Sequence, residues 1–151
     1  MLNQDYKDML SLLLENAVEF LLVGAYALAA HGFPRATADI DIFIKPSREN
    51  SKRLFKVLIE FGAPLKNINP SDFEEPGIIF QIGVKPRRID LITEIDGLSF
   101  EDAIEDGEII DIEGLSIPII SKKKLIINKM ATGREKDRLD AEHLMNSSLE
   151  S

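Results

Sequence analysis

With 151 residues, 44% of them hydrophobic, and a net charge of -8, the chain has the size of one ordinary domain and enough apolar surface to bury a core. It has no cysteine, which excludes a disulfide framework, a thiolate zinc site and a thiol nucleophile, and its only imidazoles are His31 and His143. The acidic balance weighs against a general nucleic-acid binder, because such proteins draw their affinity from Lys and Arg set against phosphates.

The first twenty residues include Asp5 and no apolar run of signal-peptide or membrane-span length, so a mature soluble protein of the cytoplasm is expected. Met9, Leu10, Leu13, Leu14 and Val18 recur at helical spacing and predict a helix over residues 4 to 17. A short strand is expected at 19 to 23, then a helix from Ala25 to about Ala30, stopped by Gly32 and Pro34. The next strand, 39 to 44, ends at Lys45-Pro46, where Ser47 is placed to cap a helix running to about Phe61. A loop rich in Pro and Asn leads to strands at 78 to 84 and 88 to 93, separated by a Lys85-Pro86-Arg87 turn. A brief acidic helix near 99 to 106, short strands near 108 to 119, and helices at about 121 to 132 and 135 to 147 complete the order. The expected fold class is α/β (α+β): a small mixed sheet flanked by helices, with the two C-terminal helices packed beside it. Few strands alternate with helices regularly enough for a doubly wound parallel sheet. With no repeat, low-complexity tract or linker, residues 1 to 151 read as one domain.

Inside the apolar strand at 39 to 44, Asp39 and Asp41 stand one residue apart. Strand side chains alternate, so both carboxylates share a face with Phe43 while Ile40, Ile42 and Ile44 take the other. Two like charges side by side in a partly buried place repel each other and lose hydration unless a cation intervenes. A hard divalent ion such as magnesium, which favours carboxylate oxygen and keeps waters for phosphates, resolves that conflict. The bland reading is a solvated edge strand. Val23-Gly24-Ala25, where a strand turns into a helix, is a place for main-chain N–H groups to hold phosphate, although glycine is also ordinary turn chemistry there. Asp90, between Ile89 and Leu91, is a third carboxylate on a short apolar strand, with the same solvent-facing alternative.

Charge is segregated along the C-terminal part. Residues 94 to 113 carry nine acids and no base, whereas 121 to 138 carry seven bases against two acids, so one face is expected to repel phosphates and another to attract them. Lys129 falls on the apolar stripe of Leu125, Ile126 and Met130, and is read as a phosphate contact. Asp137 aligns with Ala141, Leu144 and Met145 within reach of Arg134; for Asp137 and Asp140 an ion-pair network pinning the last helices is an equal reading. Arg35 and Thr37 are placed to hold a phosphate or the acidic cluster. His31 is read as a helix-end or core hydrogen bond, and neither histidine is assigned to catalysis.

Taken together, Gly24-Ala25, Asp39-x-Asp41 and the later Asp90 resemble the DNA polymerase beta-like nucleotidyltransferase superfamily over about residues 20 to 93. Within it, "VGAYALAAHGFPRATADIDIFI" is most similar to the small AbiEii-type abortive-infection toxins. The tail, with Lys129, then Arg134, Lys136, Asp137 and Asp140, is similar to the pattern of that group and extends the match over nearly the whole chain. One departure is Gly24-Ala25, where the superfamily usually has Gly-Ser or Gly-Gly.

The resemblance implies transfer of a nucleoside monophosphate from a nucleoside triphosphate to an acceptor hydroxyl. Asp39, Asp41 and Asp90 would hold Mg2+ or Mn2+ and act in catalysis, and Gly24, Ala25, Arg35, Thr37, Lys129, Arg134 and Lys136 would bind the nucleotide. The acceptor is left open between tRNA, for which Lys85, Arg87, Arg88 and Lys122 to Lys124 offer the only basic track, and a small molecule of antibiotic type. A catalytically quiet nucleotide-binding protein acting through an antitoxin partner is the remaining alternative.

Overall fold

The computed structural model describes residues 2–33 and 39–150, with side chains to residue 147. Arg35 and Thr37 therefore lie outside the described residues. Helix α1, Gln4–Glu15, starts where the Asn3 side chain accepts from the Tyr6 N–H, and it buries Tyr6, Met9, Leu10 and Leu13. Strand β1, Phe20–Val23, is buried throughout and runs straight into the short helix α2, Gly24–Ala30. Strand β2, Ile40–Ile44, is followed by α3, Arg48–Phe61, capped by Ser47 as the sequence predicts and ended by Gly62 in the left-handed region (φ 86°). The loop beyond α3 contains an unforeseen single 3-10 turn, Pro70–Glu74, that buries Phe73 beneath α3.

Strands β3, Ile79–Ile82, and β4, Ile89–Ile92, form the expected hairpin, and α4, Phe100–Ile104, is capped by Ser99. Strands β5, Glu108–Ile112, and β6, Leu115–Ile119, precede α5, Lys122–Ala131, and α6, Glu135–Glu150. The six strands make one mixed sheet in the order β3-β4-β2-β1-β6-β5. Within it β2 pairs parallel to β4 and β1 parallel to β6, and the remaining pairs are antiparallel. This is the expected mixed sheet flanked by helices. Helix α1 packs on α3 and against β6, α2 lies on β1 and β2, and α5 packs on α6.

Three side chains depart from the predicted apolar stripes. Leu14, Met130 and Met145 are exposed, because α1, α5 and α6 each bury a narrower stripe than their hydrophobic spacing suggests. Membrane spanning finds no support in the helices: among the described residues none is long and apolar enough to cross a bilayer.

A buried amide fixes the β1–β2 ladder at the end opposite Asp41. Asn50, fully buried on α3, accepts from the Glu19 N–H (2.7 Å) and donates to the carbonyls of Glu19 and Lys45 (2.9 Å each). It thereby joins the start of β1 to the end of β2 and holds their register. Replacing Asn50 with Ala leaves buried main-chain groups without that partner, and chemical denaturation should report a loss of about 3 kcal/mol. An Asn50→Asp variant, which sets a buried carboxylate against the Glu19 and Lys45 carbonyl oxygens, should lose at least as much at neutral pH.

Candidate active site

The three predicted aspartates come together because of strand register. Asp41 pairs with Asp90 across the parallel β2–β4 ladder, and Asp39 lies two residues before Asp41 on the same face. Antiparallel pairing sets Val23 opposite Asp41, which brings Gly24 directly against the Asp41 carboxylate. Gly24 has φ 67°, and a Cβ added there would lie 2.2 Å from Asp41 Oδ2. The glycine read from sequence as room for a phosphate is thus required first by Asp41, and by a left-handed backbone that other residues adopt only under strain.

Arg88 organises the cluster. Its guanidinium donates from Nε to Asp90 Oδ1 (2.7 Å) and from Nη2 to Asp90 Oδ2 (3.0 Å), and Nη2 stands 3.8 Å from Asp39 Oδ2. Its main chain takes part as well. The Arg88 N–H donates to Asp39 Oδ1 (3.0 Å), and its carbonyl accepts from the Ile40 N–H (3.0 Å) and the Tyr6 hydroxyl (3.2 Å). Tyr6, edge-on to Tyr26, has its hydroxyl pushed up to about 12 by burial first and by Tyr26 and Asp39 next, so it stays a neutral donor. The sequence reading assigned Arg88 to a surface basic track. Its spacing of two from Asp90, which puts both on one face of a strand, was the signal for this different role.

One guanidinium does not balance three carboxylates. Burial, then the charge of Asp90, a hydrogen bond with Asp90 and the charge of Asp39, push the Asp41 carboxyl up to about 6, against a smaller opposing effect of Arg88. Among the described residues no group of three or more acids or histidines is already arranged to hold a metal ion. The donor set nevertheless fits a hard divalent cation: oxygen ligands only, on rigid strands, with negative charge in excess.

The second part of the motif is carried by α5 and α6. Lys129 Nζ lies 3.3 Å from Asp137 Oδ1 and 3.2 Å from Asp140 Oδ2, both aspartates being buried. Asp137 also accepts from Thr132 Oγ1 (2.8 Å) and from Arg134 Nε (2.7 Å). Burial would raise the Asp137 carboxyl, but those two hydrogen bonds and the charges of Lys129 and Arg134 outweigh it and hold the group below its ordinary value. The sequence reading of Lys129 as chiefly a phosphate contact is therefore incomplete, since the lysine is the counterion of a buried acidic pair. His31 takes its expected role, with Nε2 2.8 Å from the Ile120 carbonyl.

Both clusters face one cleft of about 920 Å³, lined by Gly24, Ala25, Asp39, Asp41, Arg88 and Asp90 from the sheet side and by Lys129, Thr132, Arg134, Lys136, Asp137 and Asp140 from the helical side. The expected separation of charge onto different faces does not occur. Glu94 and Asp96 line this same cleft, while Lys124 is buried, 3.6 Å from Asp106 Oδ1, and donates to the Asp102 carbonyl (2.5 Å). With Arg88 and Lys124 engaged inside the molecule, the predicted basic track is broken.

A family model described as nucleotidyl transferase of unknown function (DUF2204) matches residues 2–149. The chain belongs to this nucleotidyltransferase family. Its fold is similar to that of a Thermotoga maritima protein described as a candidate nucleotidyltransferase, at 15% identity and a TM-score of 0.65, covering 97% of this chain and 96% of that one. It is also similar to the antibiotic-resistance factor ANT(2'')-Ia (15% identity, TM-score 0.59, 96% and 82% covered). A lincosamide antibiotic adenylyltransferase bound to lincomycin is similar at 15% identity and a TM-score of 0.58, with 95% and 97% covered. No curated protein is significantly similar in sequence. The shared fold accounts for the mixed sheet of this nucleotidyltransferase.

Two predictions follow from the charges. Because the Asp41 carboxyl is raised from 3.8 to about 6, the folded state holds more protons than the unfolded state between those values, and stability falls as pH rises through that window. In EDTA, the stability difference between the parent and Asp41→Asn should drop by up to about 3 kcal/mol between pH 4 and pH 7, leaving the variant the more stable at neutral pH. In the tail, Lys129→Met should cost on the order of 3 kcal/mol, because it removes the cation between two buried aspartates, and Asp137→Ala should cost less, because Lys129 keeps Asp140 and Arg134 is exposed. Urea denaturation of the double variant should show less than the sum of the two.

Proposed function

We propose that this chain transfers a nucleoside monophosphate from a nucleoside triphosphate to an acceptor hydroxyl. The observation that carries the reading is the meeting of Asp39, Asp41 and Asp90 on one sheet face, at the floor of a cleft whose helical wall bears Lys129, Arg134 and Lys136. Asp39, Asp41 and Asp90 would hold Mg2+ or Mn2+, which supplies charge neutralisation at the triphosphate and a lowered pKa for the attacking hydroxyl.

The chain's own residues account for the rest. Lys136, with no ion-pair partner among the described residues, and the exposed Arg134 draw the triphosphate to the helical wall, while Lys129 adds positive potential behind them. Gly24 and Ala25 present main-chain atoms on the opposite side. Arg88 fixes the Asp90 carboxylate through both oxygens, which sets the direction from which an acceptor hydroxyl approaches. In the transfer, the acceptor oxygen forms a bond to the α-phosphorus, the bond between that phosphorus and the bridging oxygen to the β-phosphorus breaks, and pyrophosphate leaves. The hydroxyl proton passes to Asp90 or to water.

The tail motif supports an AbiEii-type relation, and with it a toxin-like cytoplasmic role controlled by a protein partner. The tRNA acceptor of that relation loses support from the broken basic track, whereas a cleft of about 920 Å³ has room for a small-molecule acceptor. A quiet nucleotide-binding role is tested by the same experiment. Purified chain, Mg2+ and each α-labelled nucleoside triphosphate are incubated with total RNA or with a small-molecule extract. Label should move to an acceptor with the parent, and Asp39→Asn plus Asp41→Asn should reduce the rate by at least a hundredfold. Transfer at the parent rate by the double variant would place the chemistry elsewhere; nucleotide bound but never transferred would favour the quiet role.

A further inference from the structure

We propose that the Arg88 fork gates the metal position: its Nη2 arm passes from Asp90 to Asp39 and uncovers one Asp90 oxygen for a divalent cation, while its Nε arm stays on the other. The inference rests on the transferase reading above, because it concerns the cation that Asp39, Asp41 and Asp90 would hold.

The two arms of the fork are unequal. Nε lies 2.7 Å from Asp90 Oδ1, whereas Nη2 lies 3.0 Å from Asp90 Oδ2 and 3.8 Å from Asp39 Oδ2. The longer arm thus stands between two carboxylates, in ion-pair range of both and bonded to one. A turn of the guanidinium about Nε carries it across. The main chain of Arg88 does not follow that turn, because its N–H donates to Asp39 Oδ1 (3.0 Å) and its carbonyl accepts from the Ile40 N–H (3.0 Å) and from the hydroxyl of the fully buried Tyr6 (3.2 Å). The side chains of Arg88, Asp39 and Asp90 are 20%, 16% and 10% exposed, so both contacts are more strongly felt than a solvated surface pair.

Charge gives the turn its purpose. Three carboxylates meet one guanidinium, and the excess of two negative charges is what one divalent cation supplies. Asp41 and Asp90 stand side by side across the β2–β4 ladder, so a cation between them needs an Asp90 oxygen, and the fork holds both. That hold agrees with the finding that, among the described residues, no three acids are already arranged around a metal position. Moving Nη2 to Asp39 keeps the guanidinium paired and frees Asp90 Oδ2, while Nε on Oδ1 keeps the Asp90 carboxylate oriented. Only a planar guanidinium with two separate donors does this; an ammonium is a point charge that covers one oxygen and has no second arm.

Arg88→Lys keeps the charge and gives up the fork. Titration of the full chain with Mn2+ in the absence of nucleotide, read by the paramagnetic resonance signal of free Mn2+, should show binding about tenfold tighter in Arg88→Lys than in the parent, because one Asp90 oxygen then stands open. Equal or weaker binding overturns the gate and leaves the fork as a device that only orients Asp90. A crystal structure of the parent with Mn2+ gives a second reading that needs no variant. Nη2 should there lie within hydrogen-bond distance of Asp39 Oδ2 with Nε still on Asp90 Oδ1; Mn2+ beside a fork intact on both Asp90 oxygens overturns the proposal. Either failure leaves the metal reading of the aspartates standing. Asp39→Asn plus Asp41→Asn should abolish Mn2+ binding at the cluster, and parent affinity in that variant, or no Mn2+ binding by the parent, removes the metal reading and the gate with it.

Discussion

Asp41 and Asp90 repel each other from adjacent parallel strands, and much of the local architecture is a response to that repulsion. The register that pairs them also pairs Ile40 with Ile89 and Ile42 with Leu91, all buried, so the charges cannot separate without pulling the core apart. Arg88 supplies the compensation from within the chain, through both its guanidinium and its main chain. Gly24 removes the side chain that would otherwise occupy the space of the Asp41 carboxylate. The remaining imbalance is visible in the raised Asp41 carboxyl. A fold under selection for stability alone would replace such a pair with apolar residues, since buried charges rarely return more than their desolvation costs.

The tail solves a similar problem differently. There a lysine stands between two buried aspartates, and Thr132 and Arg134 complete the shell of Asp137, so that the carboxyl is held below its ordinary value instead of above it. One acidic cluster is fully answered by its own chain and the other is not. Under the proposed transfer, the sheet cluster, with its surplus of negative charge, is where an external cation would find a role, while the tail pairs join α5 to α6 beside the cleft.

What the sequence made legible depended on local signals. Ser47 and Asn3 cap their helices through contacts within three residues, and the Lys85-Pro86-Arg87 turn lies inside its own hairpin, so these features followed from neighbouring residues. The strand aspartates were legible because alternation is a local rule and acids on apolar strands are conspicuous. The partners of those aspartates were less so. Arg88 looked like a surface base beside Arg87, and only the nonlocal pairing of β2 with β4 turns it inward. Lys124 followed the same logic, buried against the acidic segment that the charge pattern had assigned to a separate face. The exposed Met130 and Met145 show the converse, where helical spacing alone overstated how wide a stripe the neighbouring helix covers.

The same nonlocality divides the acidic block of the sequence. Read along the chain, residues 94 to 113 are one acidic block; in the fold, Asp106 is spent on Lys124, Asp102 caps its own helix, and Asp111 accepts from the Gly114 N–H. Glu94 and Asp96, beyond the end of β4, are exposed and line the cleft. A block of like charge thus resolves into acids that serve the fold through hydrogen bonds and an ion pair and acids that stand exposed at the mouth of the cleft, and only the nonlocal contacts of the fold separate the two.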